Sequence, residues 1–228
     1  MEQIKDNKFK IIIGAIVVVV LIISATIYMS AGGFSEQGSY VDVKGLSEKI
    51  VKSDTAIWSM SFSVKSNDID SLYSNIESSI ATIKNFLKEK GFDDSEINIA
   101  PVNIYQNNYK ESTYRFDSSN HISVYTKKVD LAKSASNSTL LLVKKGIVLE
   151  QNYITFQISD LNSIKPAMLS EAIKNARATA SQFAKNTDSN VGGVTRGNQG
   201  VFEIEDKDPG SPEYKKVRLV STLRFLIK

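Results

Sequence analysis

Residues 58–91 read WSMSFSVKSNDIDSLYSNIESSIATIKNFLKEKG, and their hydrophobic period changes in the middle. In the first half Trp58, Met60, Phe62 and Val64 alternate with Ser59, Ser61 and Ser63. A period of two buries one face of a strand and leaves the other wet. In the second half Ile69, Leu72, Tyr73, Ile76, Ile80, Ile83 and Leu87 recur at helical spacing. Asn67 or Asp68 can cap the start, and Gly91 stands where a C′ glycine ends a helix. A half-buried strand followed by a helix with one apolar stripe predicts a helix laid on one face of a sheet.

The same signals continue outward. Upstream, Tyr40 to Val51 reads as a strand with Gly45 inside it. Downstream, 96–106 and 113–127 are extended, and Pro101 makes the first an edge strand or two pieces. The polar stretch from Gln106 to Lys110 predicts a hairpin loop. Asp130 caps a second helix running to about Lys145 and ended by Gly146, and Asn152 to Ser159 alternates as a strand. Ser163 to Asn186 is a long helix with Pro166 in its first turn, where proline is tolerated. Two strands, 191–205 and 214–227, close the chain around the polar loop Glu205 to Glu213. In the last, Val217, Leu219, Leu223, Phe225 and Ile227 share a face with Ser221. The order ββαββ then αβαββ predicts an α+β domain over 40–228, with mostly antiparallel sheets and three packed helices. Its halves show no residue-level repeat.

Residues 11–29, IIIGAIVVVVLIISATIYM, form an uncharged apolar run. At ~1.5 Å per residue it covers about the ~30 Å hydrocarbon core of a bilayer, so one N-terminal transmembrane helix is expected before the domain. Lys5, Lys8 and Lys10 place residues 1–10 in the cytoplasm, and residues 30–39 read as a tether. The other reading is a cleaved signal peptide, whose apolar core runs ~7–15 residues before a small-x-small site. Met29-Ser30-Ala31-Gly32-Gly33 is a poor site of that kind. Either reading exports the domain. The expected location is the cytoplasmic (inner) membrane, single-pass, with the C-terminal domain extracytoplasmic, which is periplasmic in a Gram-negative cell.

The chain has no cysteine, which excludes disulfides, a thiolate nucleophile, a Cys-based zinc site and a lipoprotein anchor. Past the anchor 25 Lys and Arg face 23 Asp and Glu, a balance that gives no electrostatic case for nucleic acid. Ala172, Ala176, Ala180 and Ala184 form a strip of small residues along the long helix, read as tight helix-on-sheet packing or as a contact between subunits. Arg177 lies off this strip.

Several motifs together resemble one family. They are Ala172-x-x-x-Ala-Arg-x-x-Ala-x-x-Phe-Ala184, Gly192-Gly193, Gln199-Gly200-x-Phe202-x-Ile204-x-Asp206 and Lys216-Val217-Arg218-Leu219-Val220-Ser221-Thr222. Val43-Lys44-Gly45-Leu46-Ser47-Glu48, Val51-Lys52-x-Asp54-x-Ala56-x-Trp58 and Tyr114-Arg115-Phe116 stand in the same order upstream. In that order they resemble the SIMPL-domain proteins of bacterial envelopes, over about 40–228. The resemblance implies an α+β fold, export or membrane anchoring, assembly into rings or hollow oligomers in some members, and links to oxidative or envelope stress. It carries over no catalytic residue. Ser53 stands where Ala or Pro is common, and Thr179 where Lys is frequent.

The chemistry-bearing residues are sparse. His121 is the only histidine, so a His-rich metal site within one chain is impossible. No Gly-x-Ser-x-Gly elbow accompanies it. Gly192, Gly193 and Gly197 are spaced unlike a phosphate-binding loop and read as turn or bulge glycines. Glu203, Glu205, Asp206 and Asp208 lack the spacing of a calcium loop and read as a solvated hairpin. Tyr105, Tyr109, Tyr114 and Phe116 flank a polar loop, as ordinary strand packing or as an exposed edge for assembly or ligand contact. No catalytic, cofactor-binding or metal site is expected. The expectation is a non-enzymatic, membrane-anchored envelope protein acting as a homo-oligomer, with a binding module for a small ligand or partner protein as the alternative. A hydrolase using carboxylates alone would need two buried acids a few ångströms apart.

Overall fold

The computed structural model describes residues 19–26, 39–108 and 112–228. Residues 19–26 are helical, and no helix among the described residues is long and apolar enough to cross a membrane. The rest of the expected span 11–29, the N-terminus 1–10 and most of the tether lie outside the described residues.

Nine strands and four further helices follow. The strands are β1 (Tyr40–Lys52), β2 (Thr55–Ser66), β3 (Ile97–Ile99), β4 (Asn103–Gln106), β5 (Phe116–Thr126), β6 (Gln151–Gln157), β7 (Val191–Asn198), β8 (Phe202–Asp206) and β9 (Tyr214–Ile227). The helices are α1 (Ile69–Glu89), α2 (Val129–Ser136), α3 (Leu140–Lys144) and α4 (Lys165–Asn186). The fold is α+β with two antiparallel sheets, one ordered β3-β5-β2-β6 with β4 also on β5, the other β1-β9-β7 with β8 also on β9. Contacts divide the chain into two units. One holds Leu46–Ile173 and Gln199–Val220; the other holds Lys174–Asn198 and Ser221–Lys228 together with the residues up to Gly45.

In the larger unit the even positions of β2 enter the core as expected, while Ser59 and Ser61, expected on the wet side, are nearly covered as well. Trp58, Met60 and Phe62 are buried with Ile83, Phe86 and Leu87 of α1, Ala132 and Ala135 of α2, Leu142 of α3 and Phe156 of β6. Asp68 caps α1 by accepting from the Ser71 amide at 2.8 Å. Asn67 has a different task and accepts from the Arg115 amide at 2.9 Å. Gly91, at φ 98°, turns the chain out of the helix. A second small core gathers Met168 and Ala172 with Val217 and Leu219.

The smaller unit packs Ala176 and Ala180 of α4 against Val43, Leu223 and Phe225. All four ladder alanines are buried within the chain, which supports tight packing and leaves that strip no surface for a subunit contact. Arg177 is exposed.

Two stretches, 130–145 and 191–205, depart from expectation. Residues 130–145 form two helices rather than one, because Ser136, Ser138 and Thr139 donate to the Lys133, Ser134 and Ser136 carbonyls and compete with the helical ladder. The described domain thus carries four helices, not three. Lys128, not Asp130, occupies the cap position of α2, where the Thr126 hydroxyl accepts from its amide. Residues 191–205 form two strands, because Gly200 turns at φ 77° where a Cβ would lie 2.0 Å from the Val220 carbonyl oxygen. Pro101 divides 96–106 into β3 and β4, the two-piece form of that reading.

Candidate docking surface

Strand pairing sorts the side chains of the five-stranded sheet into two faces. Even-numbered positions of β2 and β5 enter the core with the helices. Odd-numbered positions lie on the other face. Across β5, β2 and β6 its rows read Tyr125–Ile57–Thr155, Ser123–Ser59–Tyr153 and His121–Ser61–Gln151. Beyond the end of β6 the rows continue as Ser119–Ser63 and Asp117–Lys65. Asn98 stands beside Ser123, Asn103 beside Ser119 and Tyr105 beside Asp117.

From Tyr125 to Ser63 these rows carry no Asp, Glu, Lys or Arg. The charged pair Lys65–Asp117, 3.5 Å apart, closes the face at one end. Relief follows from side-chain size. Ser59 and Ser61 are only 6% and 9% exposed, whereas Tyr125 and Tyr153 are 52% and 54% exposed. At strand spacings of about 4.8 Å and a row step near 6.8 Å, the two tyrosines stand ~12 Å apart along a diagonal. Serines floor the shallow trough between them.

The second sheet contrasts with this. It carries charged side chains, several of them in ion pairs: Glu48 with Lys216 at 3.1 Å and Arg218 at 3.3 Å, and Arg218 with Glu203 at 2.9 Å. In the smaller unit Arg224 holds Asp42 through two hydrogen bonds of 2.9 and 2.8 Å, under the Tyr40 ring at 3.9 Å. The Arg224 hydrogen bond holds the Asp42 carboxyl below its usual range. Asp42, Arg196, Asn198, Thr222 and Arg224 line an open hollow of about 330 Å³.

A family model matches residues 41–219, that of the SIMPL proteins, described as proteins of unknown function (DUF541). The chain belongs to the SIMPL family. The match runs from β1 through α1 to α4 and β8 and ends at Leu219 within β9, inside the stretch that the ordered motifs mark. Comparison with curated proteins found no match.

The SIMPL fold distributes the residues singled out in the sequence. His121 lies on the neutral face, half-buried opposite Ser61, as a strand residue. Tyr105 reaches the charged end of that face, while Tyr114 sits exposed in the preceding loop. Phe116 belongs to the opposite face with Arg115 stacked on it at 5.1 Å, and Tyr109 lies outside the described residues. Glu203 pairs with Arg218 and Asp206 with Lys215 across the β8–β9 hairpin. Asp208 accepts from the Gly210 and Ser211 amides and shapes the turn. Among the described residues no group of three or more His, Asp or Glu could hold a metal, and Glu213 is the one acid in the buried class. Gly192 and Gly193 fall at a register shift between β7 and β9, a bulge.

Sequence reasoning missed Tyr125 and Tyr153. Each follows the same alternation as Ser59, one residue from the buried Val124 and the half-buried Ile154. The signal was present as an aromatic on the wet side of a strand.

Proposed function

We propose that this SIMPL protein is a non-enzymatic, self-assembling envelope protein, held at the cytoplasmic membrane by residues 11–29 with its N-terminus inside. Copies of the domain meet through the neutral tyrosine and serine face outside that membrane. The observation that carries this reading is the composition of the face. Protein contact surfaces are depleted in charge and enriched in tyrosine, because a rigid aromatic ring gives large contact area at low entropic cost. A solvated sheet face, by contrast, normally looks like the ion-paired second sheet. The family resemblance supports a role in envelope or oxidative stress, carried by assembly rather than bond chemistry.

Two measurements test this. A cysteine placed at Asn7 should resist a membrane-impermeant maleimide in intact cells, while one placed at Gln199 reacts once the outer barrier is opened. Light scattering on the full-length protein in detergent should give a multiple of the 25.2 kDa chain. A strict monomer at high concentration speaks against assembly.

A second reading, a binding module for a small ligand, is favoured by the hollow beside Arg196. Asp42 already neutralises Arg224, so Arg196 is the cation that an anionic ligand would meet. Calorimetric titration with inorganic phosphate, repeated on Arg196→Ala, separates this reading from the first.

A further inference from the structure

The short helix α3 and the turn after it, Leu140-Leu-Leu-Val-Lys-Lys-Gly-Ile-Val148, face outward against the usual rule. Leu142 and Ile147 are buried and pin the segment to the core of the larger unit. Leu140 at 76%, Val148 at 68%, Val143 and Leu141 are exposed. Four large aliphatic side chains on nine residues form a patch, whereas scattered single apolar residues would need no explanation. Cations rim it. Lys144 and Lys145 end the helix, and with Leu141 and Lys90 they line a hollow of about 370 Å³ that holds one acid, Glu89, 3.7 Å from Lys145.

We infer that this patch docks on an anionic lipid surface. Aliphatic side chains beside lysines suit the headgroup–acyl boundary, where the chains enter the hydrocarbon and the ammonium groups meet lipid phosphates. The three lysines around one acid give an anionic lipid surface its charge complementarity, and the proposed anchor keeps such a surface within reach. The inference rests on the proposed membrane anchor, since a domain on a ten-residue tether stays near a bilayer.

The full-length protein, free of cysteine, takes a single fluorescent label at Leu140→Cys or, as control, at Ser119→Cys on the neutral face. It is reconstituted into phosphatidylcholine vesicles with or without phosphatidylglycerol, containing brominated acyl chains as quencher. The expected result is strong quenching at position 140 in phosphatidylglycerol vesicles and little at 119. Each lysine near the surface is worth about fivefold in the docked population, so K144E/K145E should lower it more than ~tenfold. Equal quenching at both positions overturns the inference. Shielding of position 140 from aqueous iodide without bromolipid quenching also overturns it, and assigns the patch to protein. Failure of the anchor reads differently, as release of the whole chain from vesicles by alkaline carbonate.

Discussion

Tyr153 stands directly opposite Ser59 on the face of the sheet away from the core helices, the tyrosine more than half exposed and the serine almost covered. The pair sets the relief of the neutral face together with Tyr125, which stands exposed on the other side of β2, opposite the half-buried Ile57. Large rings beside small hydroxyls give a surface that can interdigitate with a copy of itself and has no charge to desolvate.

Truncating both rings should therefore weaken association without weakening the fold. Tyr125→Ala with Tyr153→Ala should raise the dissociation constant of the assembly at least tenfold, the effect of losing ~1.4 kcal/mol or more at a contact centre. Because both side chains are exposed, the melting temperature should hold when each protein is diluted to the monomer, where assembly adds no stability. Sedimentation equilibrium with a thermal scan checks both. An unchanged assembly removes the tyrosines from the interface.

Inside the same sheet, the Trp58 indole donates to the Asn152 side-chain oxygen at 2.8 Å, and the Asn152 amide donates to Thr139 at 2.9 Å. Asn152→Leu leaves the buried indole N–H unpaired, and should cost about 1–3 kcal/mol. Urea unfolding followed by the fluorescence of Trp58, the chain's single tryptophan, measures it at one site.

Glu96 links the turn before β3 to the end of β5. Burial alone would raise its pKa. The Asp93 amide at 2.9 Å, the Thr126 hydroxyl and the Lys128 ammonium at 2.9 Å outweigh that, and hold it below its ordinary value of 4.5. A depressed folded-state value means the unfolded chain takes up the proton first. The stabilisation is therefore complete above pH 4.5 and is lost as pH falls through the folded-state value. Glu96→Gln should flatten the acid limb of the stability profile below that pH and leave the neutral region nearly parallel. Identical acid slopes in both proteins would contradict this role.

The alanine ladder makes a prediction of opposite kind to the tyrosines. Ala180→Leu should destabilise by about 1–3 kcal/mol through overpacking against Phe225 and Leu223, with no change in the mass of the folded assembly. Thr179→Lys, one residue away on the exposed side, should stay within ~0.5 kcal/mol. Thermal denaturation with light scattering distinguishes the two. A ladder variant that folds normally and dissociates would reverse the assignment.

Much of this architecture is legible in residue spacing. Period two at Trp58 to Val64, period 3.6 at Ile69 to Leu87 and the alternation from Val217 to Phe225 each reflect burial on one side, and burial is what the hydrophobic pattern encodes. The missed features have local causes outside that pattern. The hydroxyls at Ser136 to Thr139 divide a helix whose apolar spacing continues, and Gly200 divides a strand by backbone conformation alone. The neutral face was less legible because it is tertiary. Tyr125 and Tyr153 are 28 positions apart and come to flank β2 only once β5 and β6 pair with it, a long-range pairing that local periodicity does not contain.

Cross-linking across the face tests the central claim most directly. Full-length protein carrying Ser119→Cys or Gln151→Cys, on the neutral face, is treated in detergent with a short bismaleimide; Ser74→Cys on the exposed side of α1 is the comparison. The expected result is covalent dimers from positions 119 and 151 and monomers from position 74. Monomers from both face positions, or dimers from position 74 alone, would contradict assembly through this surface.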